Sequence, residues 1–414
     1  MVKIYDADHE ILKLLSGTKL HVSIMVTNDQ IHGISSSQAM ADKWVRYNVL
    51  AYYPDTMVRC ILVGNEVLSY NTARDQQIWQ HLVPAMRRIK NSLRSHNIRD
   101  IKVGTPLAMD ILVATFPPSS GTFRPDVSTQ IMVPLLDFLN RTKSFFFVNV
   151  YPYFPWSANP TKEGLDFALL RAGNLTYTDP ISGLQYTNLL DQMLDSILFA
   201  MGRMGYNNVK LAIGETGWPN AGDIDQPGAN IYNAATYNRN LVRKMTAKSS
   251  RGTPARPGSV IPTFIFSLYN ENQKGGRGTE RHWGLFYPDG RAIYDLDLTG
   301  KKSENEYGFL PNPLNDEPYQ GKIWCVVADK VNLTELRSAL SHVCEEGNRT
   351  CDALAPGKEC YIPVSEIAHA SYAFSSYWAK FRSTGATCYF NGLANQTTED
   401  PSKLIFCKGI YMCI

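Results

Sequence analysis

Short apolar runs alternate along the chain with longer segments in which apolar residues recur at helical spacing. The short runs are typical of buried parallel strands and cover Val2–Tyr5, Leu20–Val26, Ile61–Gly64, Ile101–Thr105, Phe145–Val150, Val209–Gly214 and Thr263–Ser267. The helical pattern covers Glu10–Leu15, Gln38–Leu50, Ile78–Ser95, Ile131–Leu139, Leu189–Met204 and Tyr232–Ala247. This alternation predicts a parallel sheet covered by helices.

The pattern favours a barrel over an open dinucleotide-binding sheet. No Gly-x-Gly-x-x-Gly turn follows a strand, and that turn marks the dinucleotide fold. Seven strands therefore predict a barrel that is one strand-helix unit short. Such a barrel would have a seam between its first and last strands, where edge backbone groups are unpaired.

The periodicity lapses after about Leu298. Residues 299–322 hold charges and prolines without a hydrophobic repeat, which predicts a linker. A cysteine-rich module is expected at residues 323–408, followed by a tail at 409–414. Helical patterns at Leu333–Val343 and Ile367–Lys380 make the module mainly helical.

Six cysteines crowd the end of the chain and predict a disulfide framework: Cys325, Cys344, Cys351, Cys360, Cys388 and Cys407. Zinc is the alternative, but no Cys-x-x-Cys pair is present, which argues against a metal site. Spacing alone leaves the pairing open. Cys60 is expected to be a buried thiol, and Cys413 stays unpaired unless it meets Cys60 or another chain.

The cysteines indicate an oxidising compartment, and five glycosylation sequons agree with secretion. The sequons begin at Asn140, Asn174, Asn332, Asn348 and Asn395. The first residues do not resemble a signal peptide, so we expect a truncated start. The net charge of +3 is too mild to indicate nucleic acid. We expect a monomer with no metal and no cofactor, and membrane association only if a missing terminus carries an anchor.

Two carboxylates follow apolar runs directly. Glu66 comes after Ile61–Gly64, and Glu215 comes after Val209–Gly214. Parallel strands deliver their carboxyl ends to one mouth of a barrel, and paired carboxylates across a cleft suit glycoside hydrolysis. Asn65 is placed to reach a sugar 2-hydroxyl. The alternatives are a helix cap at Asn65-Glu66 and a solvated turn at Glu215.

Three stretches resemble plant family 17 glycoside hydrolases, the endo-β-1,3-glucanases. They are Leu62-Val63-Gly64-Asn65-Glu66-Val67, Gly214-Glu215-Thr216-Gly217-Trp218-Pro219 and residues 270–286. The resemblance covers residues 1–298 and implies a (β/α)₈ TIM barrel that here lacks the family's first strand and helix. It also implies a retaining mechanism, with Glu215 as the nucleophile and Glu66 as the acid/base. It also implicates Glu271, Lys274 and Glu280 around the cleft, for which a structural ion-pair cluster is the alternative.

A retaining mechanism leads to expectations for the geometry and the pKa values of the site. The two carboxyl groups should lie about 5 to 5.5 Å apart. The pKa of Glu66 should be raised by apolar walls and by Glu215, and Tyr151 should hydrogen-bond Glu215. Aromatic side chains near the strand ends are candidate platforms for glucosyl rings, or else core: Tyr5, Tyr153, Phe154, Trp218 and Trp283.

The terminal module resembles the plant family 43 carbohydrate-binding module. The likeness lies in Trp324-Cys325-Val326-Val327, Cys360-Tyr361, residues 369–374 and Cys388-Tyr389-Phe390. It implies β-1,3-glucan binding and the pairings Cys325–Cys388, Cys344–Cys351 and Cys360–Cys407. A module this small needs its aromatics for stability, so we expect these to be core rather than sugar contacts: Tyr372, Phe374, Tyr377 and Trp378.

The sequence therefore predicts a secreted, retaining endo-β-1,3-glucanase that acts on polymers of the callose or laminarin type. We expect it in the cell wall or at the outer face of the plasma membrane. Two alternatives stay open. One is a glucan-binding protein whose incomplete barrel no longer turns over substrate, because small displacements of catalytic groups lower rates strongly. The other is a structural wall protein, which the paired glutamates disfavour.

Overall fold

Eight parallel strand segments form two four-stranded sheets in a computed structural model that describes residues 1–69, 72–171, 173, 175–247 and 251–401. The segments are β1 Val2–Lys3, β2 His21–Val26, β3 Met57–Val63, β4 Lys102–Gly104, β5 Pro106–Ala108, β6 Phe145–Asn149, β7 Lys210–Thr216 and β8 Thr263–Ile265. The strand orders are β1-β2-β3-β4 and β5-β6-β7-β8. Thr105 alone separates β4 from β5, so one bent strand belongs to both sheets.

The two outer strands form the predicted seam. Among the described residues, the ladders pair β1 with β2 and β8 with β7, and none joins β1 to β8. The side chain of Lys3 crosses the interior instead, and its Nζ donates to the carbonyl oxygen of Gly214 on β7 at 2.8 Å. A side chain, rather than a backbone ladder, therefore links β1 to β7.

Helices cover the outside of the sheets. They are α1 His9–Leu14, α2 Ile31–Ser36, α3 Gln38–Val45, α4 Ala73–Ser95, α5 Pro125–Val127, α6 Val133–Thr142, α7 Tyr153–Ala158, α8 Lys162–Ala168, α9 Leu189–Arg203 and α10 Ile231–Thr246. The six predicted helices of the barrel are present, although wider turns at Arg46–Leu50 and Ser128–Met132 adjoin α3 and α6. The sequence missed α2, α5, α7 and α8, which are too short to show two full turns of apolar spacing.

Apolar side chains fill the barrel below its mouth. The inner cluster comprises Met25, Cys60, Leu62, Phe147, Ala212 and Phe264. Because successive strand residues face opposite sides, positions further along the same inner faces reach the mouth, where the polar groups lie. Cys60 is the buried thiol that the sequence predicted, and burial raises its pKa to about 11.

The terminal module combines a small sheet with two helices. Strand β9 Trp324–Val327 pairs antiparallel with β10 Ala394–Thr397, and α11 Leu333–Glu346 packs against α12 Glu366–Phe381. Disulfides Cys325–Cys388 and Cys344–Cys351 are present, which confirms two of the three implied pairings. Cys360 is buried, but Cys407 and Cys413 lie outside the described residues, so the third pairing stays a prediction. Phe374 and Trp378 are core, as expected.

The segment at residues 299–322, predicted as a linker, makes specific contacts with the barrel. It has one helical turn, Glu304–Glu306, and it lies along the barrel. The N–H of Gly228 donates to the carbonyl oxygen of Asn315 at 2.6 Å, and Asn230 and Asn233 both donate to the Asp316 carboxylate. These contacts use backbone and amide groups, which leave no trace in hydrophobic periodicity.

No helix in the described part of the chain is long and apolar enough to cross a membrane.

Candidate active site

Glu66 stands on a strained turn at the carboxyl end of β3. Its φ is +51°, and that of Gly64 is +69°, in the left-handed region that side chains disfavour. A Cβ on Gly64 would come within 2.4 Å of Val67, so only glycine fits there. Glu66 N–H donates to the carbonyl oxygen of Pro106 at 3.0 Å. Since α4 begins only at Ala73, the helix-cap alternative for Asn65-Glu66 is wrong.

Asn28 fixes the other side of this turn. Its side-chain oxygen accepts from Asn65 N–H at 2.8 Å, and its amide nitrogen donates to the Asn65 carbonyl oxygen at 3.1 Å. Such strain persists only where the surroundings over-determine the backbone, and it is concentrated at functional sites. The turn therefore holds Glu66 in a fixed direction.

Asn149 contacts Glu66 through its side chain and pairs with Glu215 through the backbone ladder. Its Nδ2 donates to Glu66 Oε1 at 2.9 Å and lies 3.4 Å from the side-chain oxygen of Asn65. In the β6–β7 ladder, Asn149 is also the register partner of Glu215. Because β3, β6 and β7 all run in the same direction as their sheet neighbours, Glu66 and Glu215 meet at one mouth of the barrel.

Glu215 is buried and surrounded by donors. Its Oε1 accepts from Tyr5 Oη at 2.7 Å and from Lys3 Nζ at 2.9 Å. Its Oε2 accepts from Tyr151 Oη at 2.8 Å, which is the hydrogen bond that the sequence predicted. With 6% of the residue exposed, the solvated-turn alternative is wrong. Charge-assisted hydrogen bonds of this kind orient a carboxylate rigidly.

Burial shifts the pKa values of the groups in the mouth, in different directions for the acids and for the lysine. It raises the pKa of Glu66, and the charge of Glu215 adds to that rise, while the hydrogen bond from Asn149 opposes it. Burial lowers the pKa of Lys3 despite the attraction of Glu215. Burial also raises the pKa of Tyr5 and Tyr151, so both keep the protons that they donate. The raised pKa of Glu66 agrees with the sequence-based expectation for a general acid.

Glu271, Lys274 and Glu280 form a second cluster, here called the rim cluster. Lys274 Nζ lies 3.1 Å from Glu280 and 3.6 Å from Glu271. Burial opposes protonation of Lys274, but the two carboxylates outweigh it and raise its pKa. Among the ion pairs and hydrogen bonds of the described residues, none joins the rim cluster to Glu66 or Glu215. The ion-pair interpretation therefore holds, and a role in substrate binding stays a prediction.

Three of the predicted sugar platforms are corrected by the structure. Tyr153 and Trp218 are 2% and 0% exposed, and they pack edge to face with ring centroids 5.2 Å apart. The Trp218 Nε1–H donates inward to the Gly228 carbonyl oxygen, and Trp283 is buried as well. A buried ring offers no face to a sugar. Tyr5 and Phe154, at 39% and 46% exposed, stay candidates.

Lys3 and Asn149 were missed as site residues. Lys3 lies two positions before Tyr5, so both reach the same side of an extended chain, and that spacing was a usable signal. Asn149 was placed at a strand end without a role, because its contact with Glu66 joins residues 83 positions apart.

The opposite end of the barrel lacks this chemistry. A cavity of about 370 Å³ opens there, among the amino ends of β6, β7 and β8, lined by residues that include Phe145, Lys210, Leu211 and Pro262. No carboxylate lines it among the described residues. Among the described residues, the carboxyl pair Glu66 and Glu215 therefore lies at the carboxyl ends of the strands, away from this cavity.

Comparison with known proteins identifies the family of this chain. Residues 1–298 match glycosyl hydrolases family 17, and residues 323–395 match the X8 domain. The chain belongs to glycosyl hydrolase family 17. The predicted family, the TIM-barrel fold class and the appended carbohydrate-binding module are thereby confirmed, and this family 17 member is a glycoside hydrolase.

Relatives of this family 17 hydrolase include plant glucanases. The chain is 59% identical over 400 residues to probable glucan endo-1,3-beta-glucosidase A6 of Arabidopsis thaliana, covering 97% of this chain and 83% of that protein. It is 38% identical over 405 residues to glucan endo-1,3-beta-glucosidase 3 of the same plant, covering 97% and 77%.

Solved structures give the same result for the fold. CJP38, a β-1,3-glucanase and allergen of Cryptomeria japonica pollen, superposes with a TM-score of 0.66 at 38% identity, over 72% of this chain and 89% of that one. One of two plant β-glucan endohydrolases with distinct substrate specificities gives a TM-score of 0.63 at 34% identity, over 71% and 90%.

Proposed function

We propose that this hydrolase cleaves β-1,3-glucan of the callose or laminarin type internally and with retention, with Glu215 as the nucleophile and Glu66 as the acid/base. The observation that carries the proposal is that two unlike carboxyl groups lie close enough for the charge of Glu215 to add to the rise that burial causes in the pKa of Glu66. One is held by Lys3 and two tyrosine hydroxyls, and the other has a raised pKa. The relatives named as endo-1,3-β-glucosidases support the substrate class.

In the first step, protonated Glu66 donates its proton to the glycosidic oxygen. Glu215 attacks the anomeric carbon, the bond to the leaving sugar breaks, and a glycosyl ester forms. Because Lys3, Tyr5 and Tyr151 hold both carboxylate oxygens, the nucleophile does not rotate away from its target. Retention requires the two carboxyl groups to lie about 5 to 5.5 Å apart.

In the second step, Glu66 acts as the base. Ester formation removes the negative charge of Glu215, which had helped to raise the pKa of Glu66, so Glu66 loses its proton more readily. It then takes a proton from water while the water oxygen attacks the anomeric carbon. The ester bond breaks, Glu215 leaves as a carboxylate, and the net configuration is retained.

Substrate contacts are proposed for the polar and exposed groups around the mouth. We propose that Asn65 binds the sugar 2-hydroxyl and that the rim cluster binds hydroxyls further along the glucan chain. Tyr5 and Phe154 offer ring faces. The X8 module is proposed to bind the same polymer.

The protein is proposed to be secreted and glycosylated, as its disulfides suggest. Three of the five sequon asparagines are exposed on the module, namely Asn332, Asn348 and Asn395. Asn140 is half-buried on α6, and Asn174 lies outside the described residues.

The direct test measures reducing sugar released from laminarin and the anomer that is formed first. The expected result is internal cleavage that gives the β-anomer, with turnover lost in Glu215→Gln. Early release of the α-anomer would contradict retention. A protein that is retained on insoluble β-1,3-glucan but releases no sugar would support the glucan-binding alternative instead.

A further inference from the structure

The X8 module touches the barrel beside the active site. Ile224 N–H donates to Gln396 Oε1 at 2.7 Å, and Gln396 Nε2 lies 3.4 Å from Asp225 Oδ1. Arg382 of the module pairs with the same Asp225 at 3.6 Å. Asp225 is partly buried, since its side chain is 19% exposed. The hydrogen bond from the Ile224 N–H gives the contact a defined direction.

A second contact lies on the neighbouring loop of the barrel. The guanidinium of Arg281 lies 3.8 Å from the ring centroid of Tyr389 in the module, a cation–π geometry. Tyr389 Oη also donates to the carbonyl oxygen of Asn272 at 3.4 Å. Asn272 is adjacent to Glu271 of the rim cluster, so the module reaches the border of the mouth.

The two barrel loops are joined to each other. Gly278 N–H donates to Asp223 at 2.8 Å, and Thr279 N–H donates to Gln226 Oε1 at 3.0 Å. Arg277 pairs with Asp225 at 3.1 Å. The docking platform is therefore one unit that also carries Glu280, and it follows the strand that bears Glu215.

The module side is braced as well. Tyr389 follows Cys388, and Gln396 is the register partner of Cys325, so the Cys325–Cys388 disulfide lies behind both docking residues. The intervening chain also lies on the barrel, with Asn315 bound by Gly228 only two residues beyond Gln226. The module and the predicted linker are thus held to the barrel at three places: the loop at residues 224–225, the loop at residues 272–281, and Gly228.

From this geometry we infer that the X8 module is a fixed extension of the cleft rather than a freely tethered domain, and that the pair selects long β-1,3-glucan chains. The inference rests on the proposed function. A polymer in the mouth continues past the rim cluster onto the module. Because the second binding event is then intramolecular at a fixed distance, it strengthens binding of any chain that spans both sites. A short oligosaccharide fills the mouth alone and gains nothing.

The test uses the full chain and the double variant Gln396→Ala, Arg382→Glu, which alters only the module side. The control is Arg337→Glu, because Arg337 pairs with Glu366 within the module. We expect kcat/KM on long laminarin to fall about tenfold in the double variant, while kcat/KM on laminaripentaose stays within about twofold of wild type. Small-angle scattering should show two bodies that move independently in the variant but not in wild type or control.

Three outcomes separate this inference from the proposed function. An unchanged ratio of long-chain to pentaose activity overturns the inference and leaves hydrolysis intact, as does wild-type scattering from independently moving bodies. If wild type releases no sugar from either substrate, the proposed function fails, and scattering still decides the docking. If the double variant loses its near-ultraviolet circular dichroism, Asp225→Asn on the barrel side replaces it, with the same expected ratio.

Discussion

Two clusters in this molecule each combine one lysine with two carboxyl groups, yet the pKa of the lysine is shifted in opposite directions in the two. In the mouth, the side chains of Lys3 and Glu215 are 4% and 8% exposed. In the rim cluster, the exposed fractions of Lys274, Glu271 and Glu280 lie between 35% and 45%. Burial lowers the pKa of Lys3, whereas at Lys274 burial is outweighed by the two carboxylates together, which raise the pKa.

The two clusters contain the same residue types, so it is the loss of hydration in the mouth that distinguishes the cluster proposed to be reactive. Taking charges out of water costs several kcal/mol per ion unless hydrogen bonds compensate. The mouth supplies that compensation through Tyr5 and Tyr151 on Glu215, and it holds Glu66 on a strained turn. Exposed pairs such as those of the rim contribute about 0 to 1 kcal/mol each. The comparison therefore predicts large effects for changes in the mouth and small ones at the rim.

The largest of the effects predicted here follows from removing the acid. Glu66→Gln keeps the shape of the side chain but has no proton to give, so kcat/KM on laminarin should fall about 10³-fold. The loss should be much smaller for an aryl glucoside whose leaving group needs no proton. Glu280→Gln is the matched control at the rim and should stay within a few-fold of wild type. Equal losses in the two variants would break the comparison.

Removing one hydroxyl from the mouth should have the next largest effect. Tyr151→Phe deletes the donor to Glu215 Oε2, and a hydrogen bond to a charged group contributes about 1.5 to 3 kcal/mol. We expect kcat to fall about 10- to 100-fold with little change in KM, since the contact orients the nucleophile. Tyr269→Phe, an exposed ring in the same barrel, is the control. A change confined to KM would instead place Tyr151 on the substrate.

The fold and the two glutamates were predictable because their signals are local. Apolar runs mark the strands, and Glu66 and Glu215 stand where those runs end. The contacts that complete the site are not local. Lys3 and Glu215 are 212 positions apart, and no pattern within a strand reveals that pair.

Trp218 shows a further limit of sequence analysis. An aromatic residue close to a strand-end glutamate has the same sequence whether it faces a sugar or the core. Only the packing against Tyr153 decides between the two. The docking of residues 299–322 was hidden for a related reason, because it depends on backbone and amide groups that hydropathy does not report.

A pH profile tests the buried environment of Glu66. As a general acid, Glu66 must be protonated, so kcat/KM should fall as pH rises through its pKa, which burial has raised. Asn149→Leu keeps the branched skeleton of the side chain but removes the hydrogen bond that favours the carboxylate, so the pKa should rise further. We expect the alkaline limb of kcat/KM to move up by about one pH unit. A limb that moves down would show that the hydrogen bond is not what holds the pKa in check.

The smallest effect is expected at the rim, and it decides whether the two clusters really differ. Lys274→Met breaks ion pairs with Glu271 and Glu280 at side chains that water already solvates, so kcat/KM should fall less than about fivefold and thermal stability should hardly change. The same substitution at Lys3 removes a buried cation from Glu215 and should lower kcat far more, because it leaves a carboxylate in the mouth with one donor fewer. The pair of variants, assayed at several salt concentrations, also separates two kinds of electrostatics, since salt screens exposed pairs and leaves buried ones nearly untouched. A loss at Lys274 that equals the loss at Lys3 would mean that substrate binding desolvates the rim, and the rim cluster would then belong to the reactive part of the cleft.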